Sequence, residues 1–583
     1  MPFPEFLTSN KKRTGLILSI IVIFSGAIPL IIFTFFADPA HPYTITEITL
    51  ETEDFTKIKA HIYTPKNMTG FHGGIVIGHG FTGNSRHMQM LAIELVKREF
   101  VVVSINFRGH GNSEGYLPSF ADPNMINKLV LDMKAGIDYL EKLGNVNKIG
   151  LIGHSMGAMT ALKTSDLYTE EINATVIIGM VGNSERGLRD FFGQNDSQSS
   201  SSYNLSRISN LLIANGRLEQ MFTPEITLNF LKEYTNRSDV MLETLYGDFT
   251  AGNASKAVIG SGEHLFEPMD AHIIYESVAW FELAFYGGIR WDISLSAIYN
   301  QLFFAIALMG MIAFCFVIIL YLHNYLWKDR IINPQKDVVK NASLVKLILY
   351  YILGAGIGAT LLIPLGILFS EVLPVSMGQL LYAILVGTAL GTLIMYYLLI
   401  RRTEGLGLHD IPQKIKSICS GTYGRSILYG ILAALLLASG ITLLANWSTV
   451  ITLPTIREFG AIIGFAILFF PWLLIKEFFF RNIQSKLHFQ NRFKEYFSMV
   501  GIGFLIDTIL LWPLMLLTWG EGELLGFVAL ALTVVIIFSF IQQILVTWVY
   551  MYSGRNILGS TTFLCLFYAW MMINFYPFGL PLF

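Results

Sequence analysis

The stretch that decides the fold of one part of this 583-residue chain is Lys148-Ile149-Gly150-Leu151-Ile152-Gly153-His154-Ser155-Met156-Gly157-Ala158. An aliphatic run leads into Gly-x-Ser-x-Gly and then into small, helix-forming residues. This pattern predicts a buried strand, a sharp turn at Ser155 and a helix. The two flanking glycines lack the Cβ atoms that would clash in so tight a turn, so the Ser155 hydroxyl is left exposed. A motif this short also occurs by chance, and its interpretation therefore depends on the rest of the chain.

The composition indicates that much of the chain lies in lipid. Hydrophobic residues make up 53% and charged residues only 14%, and the mean hydropathy is +0.53. A soluble domain has about 25% charged residues. The net charge of −2 gives no reason to expect a nucleic-acid partner. The three cysteines, at 315, 419 and 565, all follow residue 290, which excludes disulfides between 38 and 290.

Long apolar runs predict the membrane-spanning segments. Residues 15–36 form an uncharged run that follows Lys11-Lys12-Arg13, and we interpret them as a transmembrane signal anchor behind a cytoplasmic N-terminus, residues 1–14. A cleaved signal peptide is the alternative. Further on, residues 296–583 predict a membrane domain of about eight transmembrane helices. Its apolar runs lie near 298–322, 345–370, 378–400, 426–445, 459–477, 497–518, 524–552 and 558–582.

The distribution of basic residues predicts the orientation. The loops assigned to the cytoplasm carry nineteen Lys or Arg residues, whereas the short loops on the other side carry only Arg457. Positively charged loops remain in the cytoplasm. We therefore expect a multi-pass protein of the cell membrane with a cytoplasmic N-terminus and an extracytoplasmic segment at 38–290.

Within 38–290, strand and helix patterns alternate. Two strands with alternating burial are expected over 44–64, and continuous apolar strands follow at 73–81, 100–106, 148–154, 174–180, 211–214 and 256–259. Helical patterns lie between several of them. This order predicts a mostly parallel sheet with helices on both faces. Residues 183–209, rich in serine, predict a polar, cap-like insertion.

At this point the chain resembles the α/β-hydrolase family, in particular its serine esterases and lipases. The resemblance covers roughly residues 44–288, and its motifs follow one another in the family's order. They are Gly78-His79-Gly80-Phe81, the loop from Asn106 to Gly115, the Gly153–Gly157 turn, and Gly262-Glu263-His264.

The resemblance implies a role for each of these residues. Ser155 would be the nucleophile, His264 its general base, and Glu219, three residues after Gly216, the acid that orients the histidine. His272 is an alternative base, although it lies on a helical pattern. Among the other carboxylates between the serine and the histidine, Asp248 is the best alternative acid; the rest include Asp190, Asp196 and Asp239.

An oxyanion hole needs two backbone N–H groups aimed at the developing negative charge. The resemblance implies that Met156 and Phe81 supply them. We expect His79, His154, Arg108, His110 and Ser113 to brace the surrounding loops, with a substrate role for Arg108 as an alternative. No metal-ligand spacing occurs in this segment, and we expect neither a metal nor a cofactor.

A second, looser resemblance concerns roughly residues 420–583. Lys476-Glu477-Phe478-Phe479-Phe480-Arg481-Asn482 is similar to the Glu-Glu-x-x-x-Arg motif of the CAAX-protease and bacteriocin-processing family of intramembrane enzymes. Lys476 replaces the first glutamate, and no histidine follows His488. We therefore expect that fold without its chemistry, with Glu477 and Arg481 as an ion pair. Asp507, inside a predicted span, is a functional candidate.

Together these patterns predict a membrane-anchored, extracytoplasmic serine hydrolase. It would act on a small-molecule or lipid-like ester through a Ser-His-Glu triad and an acyl-enzyme. The alternatives are a peptidase-type serine hydrolase, and a transporter or sensor whose hydrolase domain processes or binds the ligand.

Overall fold

The structure is a computed structural model. It describes residues 9–36, 40–119, 122, 124–181, 204–290, 292–327, 341–362, 373–405, 407, 409–410, 412–413, 416, 423–445, 451–487, 491–521 and 523–579. The insertion expected at 183–209 lies outside these residues except for 204–209.

An eight-stranded sheet forms the centre of the N-terminal part, with the strand order β1-β2-β4-β3-β5-β6-β7-β8. Strands β3 to β8 run parallel to one another, and β1 and β2 are antiparallel. The strands are β1 (Tyr43–Glu51), β2 (Lys57–Pro65), β3 (His72–Gly78), β4 (Val101–Ile105), β5 (Val146–His154), β6 (Ile172–Ile178), β7 (Leu211–Gly216) and β8 (Ser255–Gly260).

Burial explains the sequence pattern of these strands. Every residue of β3, β4 and β7 is buried, as expected for parallel strands covered on both faces. The edge strand β1 instead has mostly exposed or half-buried residues. The structure confirms the predicted fold class, a mostly parallel sheet with helices on both faces, joined to a part made of long apolar helices.

Two apolar clusters lie on opposite faces of this sheet. Helices α3 (Met125–Lys142), α4 (Met156–Leu167) and α5 (Pro224–Thr235) contribute to one cluster. Helices α2 (Gln89–Val96) and α6 (Ala271–Tyr286) contribute to the other. Helix α5 was not expected from the sequence, although Thr223 caps its first turn and Pro224 starts it.

The remaining helices are long and apolar. The described residues contain eight helices able to cross a bilayer by length and composition, or nine if a pair bent by 50° counts as one span. We call α1 and residues 299–579 the helical region. Its helices are α1 (Ser9–Phe35), α7 (Tyr299–Leu326), α8 (Leu344–Leu362), α9 (Gly378–Glu404), α10 (Tyr423–Ala445), α11 (Ile456–Lys486), the bent pair α12 (Arg492–Thr508) and α13 (Leu511–Thr518), α14 (Glu523–Tyr552) and α15 (Ile557–Phe575).

Helix α11 differs from its expected span, which ended at residue 477. It continues to Lys486, so that Lys476 and Arg481 lie within a helix and not in a loop. Of the nineteen basic residues used for the orientation, Arg481 is therefore buried and Lys476 half-buried in the helical region. The other seventeen still far outnumber the single Arg457 counted on the opposite side.

Both of these basic residues are paired with carboxylates. Nζ of Lys476 lies 3.0 Å from the carboxylate of Asp507, which also accepts hydrogen bonds from Tyr351 and Gln543. Nε of Arg481 lies 3.0 Å from Glu477, the expected i, i+4 pair. Desolvated charges are stable only in such pairs.

Helices α8 and α9 pack closely through glycines. Gly387 and Gly391, spaced as Gly-x-x-x-Gly, face Gly354 and Gly358 of α8. A Cβ atom at Gly391 would overlap the Gly354 carbonyl oxygen, and one at Gly387 would overlap that of Gly358. Backbones that approach so closely gain van der Waals contact that larger residues would prevent.

We expect Gly391→Val to separate α8 from α9 and to cost on the order of 1–3 kcal/mol, as overpacking does in protein cores. The melting temperature of the detergent-solubilised chain measures this loss. Gly464→Val in α11 is the matched control, because a Cβ at Gly464 meets no atom within 4 Å. An equal fall in both variants would show that helix propensity, and not the glycine contact, causes the effect.

Candidate active site

The turn after β5 holds Ser155 in an unusual backbone conformation. Its φ and ψ are 53° and −117°, in a region that side-chain-bearing residues rarely adopt. A Cβ atom at Gly157 would overlap the Gly78 carbonyl, and one at Gly153 would overlap that of Gly157. The Ser155 N–H donates to the Ile178 carbonyl at 2.8 Å. Glycines and the neighbouring strand thus allow the strained turn that leads directly into α4.

The structure brings the three residues expected to act together into one hydrogen-bonded chain. Nε2 of His264 lies 2.9 Å from Oγ of Ser155, and Nδ1 of His264 lies 2.7 Å from Oε2 of Glu219. A carboxylate can only accept, so Nδ1 carries the proton and Nε2 is left to accept from the serine hydroxyl. This tautomer is the one that a general base needs.

Glu219 is held by the loop that follows β7. Its side chain is 2% exposed, and its Oε1 accepts from the N–H groups of Met221 and Phe222 at 2.8 and 3.4 Å. Burial by itself would raise the pKa of Glu219, but the charge and the hydrogen bond of His264 outweigh it and lower that pKa below its ordinary value. The acid is therefore ionised beside the imidazole.

Glu267, which the sequence analysis missed, is a second buried carboxyl group in the same cluster. Its Oε1 accepts from the Gly216 N–H, and its Oε2 lies 3.8 Å from Nδ1 of His264 and 3.6 Å from Nε2 of His154. Burial and the neighbouring negative charge of Glu219 raise the pKa of Glu267 well above its ordinary value. A neutral Glu267 thus stands beside an ionised Glu219. In the sequence, the only indication that Glu267 belongs to this site is its position three residues after His264.

The residues expected to supply the oxyanion hole lie next to the serine. Met156 is the first residue of α4, where backbone N–H groups have no partner within the helix. Phe81 follows β3, and its carbonyl oxygen accepts from Nε2–H of His110 at 2.7 Å. Their role as oxyanion donors stays a prediction.

Buried histidines fix the loops around this site. His79 bonds the Gly80 carbonyl at 2.8 Å and accepts from the Phe107 N–H at 3.1 Å. Nε2 of His154 bonds the His264 carbonyl at 2.9 Å. Burial lowers the pKa of His110 to about 4 and those of His79 and His154 well below their ordinary value. They are therefore neutral hydrogen-bonding groups at pH 7.

The other candidates lie elsewhere. Arg108 is bound to Asp132 and Asp54, each at 2.7 Å, so its guanidinium braces the loop after β4. The alternative base His272 is exposed and lies 3.2 Å from Glu243, and the alternative acid Asp248 caps an exposed turn. Asp239 pairs with Arg237, while Asp190 and Asp196 lie outside the described residues.

Two groups in the described part of the chain have the right atoms for a metal ion. His154, His264 and Glu267 offer atoms within 4.8 Å of one another, as do Glu243, His272 and Glu276 on the surface. In the first group, Nε2 of His154 is already bonded to the His264 carbonyl, and Nδ1 of His264 is already bonded to Glu219. That cluster therefore belongs to the serine site, and the second is an exposed set of charges.

Replacing Glu267 by glutamine should change how stability depends on pH. Because the pKa of Glu267 is raised in the folded chain, folding keeps a proton on this carboxyl group that the unfolded chain releases above pH ~4.3, so Glu267 lowers the stability of the fold increasingly as pH rises above that value. Glutamine keeps the acceptor for Gly216 but cannot ionise. We expect the melting temperature of Glu267→Gln minus that of the unmodified chain to increase over this pH range. The exposed Glu225→Gln is the control, and an equal increase there would contradict the prediction.

Comparisons with known proteins agree with this architecture. The family described as "Serine aminopeptidase, S33" matches residues 71–195. A protein of Haemophilus influenzae named "Putative esterase/lipase" is 29% identical over 127 residues, which are 22% of this chain and 38% of that protein. The chain thus spans well under half the length of this curated relative.

Solved structures of similar fold include two esterases. An esterase of Pyrococcus furiosus is 20% identical, with a TM-score of 0.31, and the match covers 41% of this chain and 92% of the esterase. Est1E of Butyrivibrio proteoclasticus, solved with ferulic acid bound, is 21% identical, with a TM-score of 0.32, and the match covers 40% and 98% of the two chains. The strand order and the family match over 71–195 together show an α/β-hydrolase region in this chain, and we call the sheet with its helices, from Tyr43 to Tyr286, the hydrolase domain.

Proposed function

We propose that the chain is a membrane-anchored serine hydrolase that cleaves carboxylic esters, with Ser155, His264 and Glu219 as its catalytic triad. The single observation that carries this proposal is the buried hydrogen-bonded chain from Oγ of Ser155 through His264 to Glu219, with contacts of 2.9 and 2.7 Å. The esterase/lipase name of the Haemophilus influenzae relative favours an ester as substrate.

In the first step, Nε2 of His264 takes the proton of Ser155 while Oγ attacks the ester carbonyl carbon. The N–H groups of Met156 and Phe81 stabilise the negative oxygen of the tetrahedral intermediate. The intermediate collapses, the bond to the alcohol oxygen breaks, and the imidazolium returns the proton to the departing alcohol. Glu219 stabilises the imidazolium throughout.

In the second step, water takes the place of the alcohol. His264 removes one proton from the water molecule as its oxygen attacks the acyl-enzyme carbonyl, and the same proton then returns to Oγ of Ser155. The products are a carboxylic acid and a regenerated serine. The neutral, buried Glu267 leaves Glu219 as the only anionic partner of the imidazolium in this cluster of described residues.

Peptide cleavage is a second candidate, favoured by the description of the family that matches residues 71–195. The same acyl-enzyme would form, but the leaving group would be an amine. Rates for an aminoacyl p-nitroanilide and for the corresponding p-nitrophenyl ester separate the two candidates. We expect the ester to be hydrolysed and the amide to be left intact.

We expect Ser155→Ala to lower the kcat for p-nitrophenyl ester hydrolysis by a factor on the order of 10⁶, and to abolish fluorophosphonate labelling, because no other group supplies the nucleophile. Glu219→Gln should lower kcat by about 10⁴, since an amide favours the wrong histidine tautomer. Asp248→Asn is the matched control for the acid, and its activity should equal that of the unmodified chain. Full activity in Ser155→Ala would refute the proposal.

We also propose that the hydrolase domain is extracytoplasmic, supported by the excess of basic residues on the opposite side of the spans. The hydrolase segment has no cysteine, so a version with Cys315, Cys419 and Cys565 replaced by serine can carry a single reporter. Phe55 on the hydrolase domain and Tyr325 at the far end of α7 are 79% and 82% exposed.

In intact bacterial cells that express the chain, a membrane-impermeant maleimide should label Phe55→Cys and leave Tyr325→Cys unlabelled. Permeabilised cells are the control, because both positions should then react. The reverse pattern in intact cells would place the hydrolase domain in the cytoplasm.

A further inference from the structure

The edge of the sheet that carries the active site faces the helical region. We call the carboxyl ends of β3, β4, β5, β7 and β8, with Phe81, Ser155, Glu219 and His264, the serine edge. The loop after β4 forms a two-way backbone contact with the chain that follows α15: the Leu117 N–H donates to Phe578, and the Phe578 N–H donates to Gly109, each at 2.9 Å. Arg457, at the start of α11, lies over the rings of Tyr116 and Phe578.

A second contact joins the helical region to the loop after β7, which holds Glu219 and which we call the acid loop. The N–H of Gly520, between α13 and α14, donates to the Gln220 carbonyl at 3.1 Å. A Cβ atom at Gly526 would overlap that same carbonyl. The Gln220 side chain accepts from the His264 N–H at 3.3 Å and donates to Glu263 at 2.9 Å. The start of α14 therefore lies against Gln220. This residue links the acid loop to the loop after β8 that holds His264, which we call the histidine loop.

Apolar contact continues from α14 to the nucleophile. Leu530 of α14 is 7% exposed and belongs to the same apolar cluster as Met156, Met221 and Phe222 of the hydrolase domain. Phe81 and Phe527 pack against this cluster. The residue after the nucleophile and a helix of the helical region thus share one hydrophobic core.

Exposed apolar side chains line both sides of this junction. On the helical side, Leu516, Leu517 and Leu525 are 67%, 74% and 42% exposed. On the hydrolase side, Leu218 and Phe266 are 55% and 57% exposed, next to Glu219 and two residues after His264. Such residues are unfavourable in water but stable in a bilayer, where each buried CH₂ contributes ~0.8 kcal/mol.

We propose that the substrate is an ester that resides in the bilayer, a long-chain amphiphile whose acyl chain reaches Ser155 from the lipid along α13 and α14. The ester bond would lie at the level of the serine edge, and the acyl chain would lie against the exposed Leu516, Leu517 and Leu525. This inference rests on the proposed ester hydrolase and names its substrate class. The hydrophobic effect keeps such a molecule in the membrane, so a site that faces the helical region meets it at high local concentration.

The test compares two esters of one fluorophore with the full chain in phosphatidylcholine vesicles. 4-Methylumbelliferyl oleate is dissolved in the bilayer, and 4-methylumbelliferyl acetate stays in solution. We expect a higher kcat/KM for the oleate. In the double variant Leu218→Gln with Phe266→Gln, the oleate-to-acetate ratio should fall about tenfold, because the apolar rim of the route is lost.

The matched control is Leu167→Gln with Phe71→Gln. These residues have similar exposure, 47% and 69%, but they lie at the end of α4 and just before β3, on the opposite edge of the sheet. Rates are normalised to the amount of chain labelled by fluorophosphonate, which removes any difference in folding. The control ratio should equal that of the unmodified chain.

The outcomes separate this inference from the proposed function. If both esters are hydrolysed and both rates vanish in Ser155→Ala, the proposed function holds. The bilayer substrate alone is then overturned by either of two results. One is a higher kcat/KM for the acetate than for the oleate; the other is an equal fall of the oleate-to-acetate ratio in the Leu218/Phe266 variant and in the control. If neither ester is hydrolysed, both proposals fall together.

Discussion

The close approach of two backbones at the turn after β5 is the constraint on which the serine site depends. Gly157 packs against the Gly78 carbonyl so closely that no side chain fits there, and Ser155 must adopt a positive φ of 53°. Strain of this kind costs of order 1–3 kcal/mol and persists only where the surroundings over-determine it. Here the buried strands on both sides supply that support, since every residue of β3 is buried and the Ser155 N–H is bonded to β6.

The same turn explains how much could be predicted from the sequence. A strained Gly-x-Ser-x-Gly turn, a histidine after the last strand and a glutamate after β7 leave local signals in the residues themselves. The resemblance to the α/β-hydrolase family implied that Ser155, Glu219 and His264 lie together, and parallel strands that end at one edge bring them there. The distances agree with that expectation, although the catalytic roles themselves remain a prediction.

Features that depend on contacts between distant residues left no such signal. Glu267 resembles any surface glutamate in the sequence, and only its burial against His154 and Glu219 sets its protonation. The length of α11 was underestimated because the charged residues at 476, 477 and 481 interrupt the apolar run, and the partner of Lys476 is invisible to a hydropathy window. Asp507, which pairs with Lys476, lies on another helix. Pairing across elements is a tertiary property, and it overrides the local pattern.

The helical region contributes to the serine site through position more than through reactive groups. Gln220 has its carbonyl oxygen bonded to the segment before α14 and its side chain bonded to the histidine loop. Moving α14 would therefore move the loop that holds Glu219, and hydrogen bonds of 2.7 and 2.9 Å tolerate little displacement before they weaken. An anchor alone would need only α1. The contacts at Gly520, Gly526 and Leu530 place the helices against the loops that hold Ser155, Glu219 and His264, which is why the two parts of the chain are best understood as one structural unit.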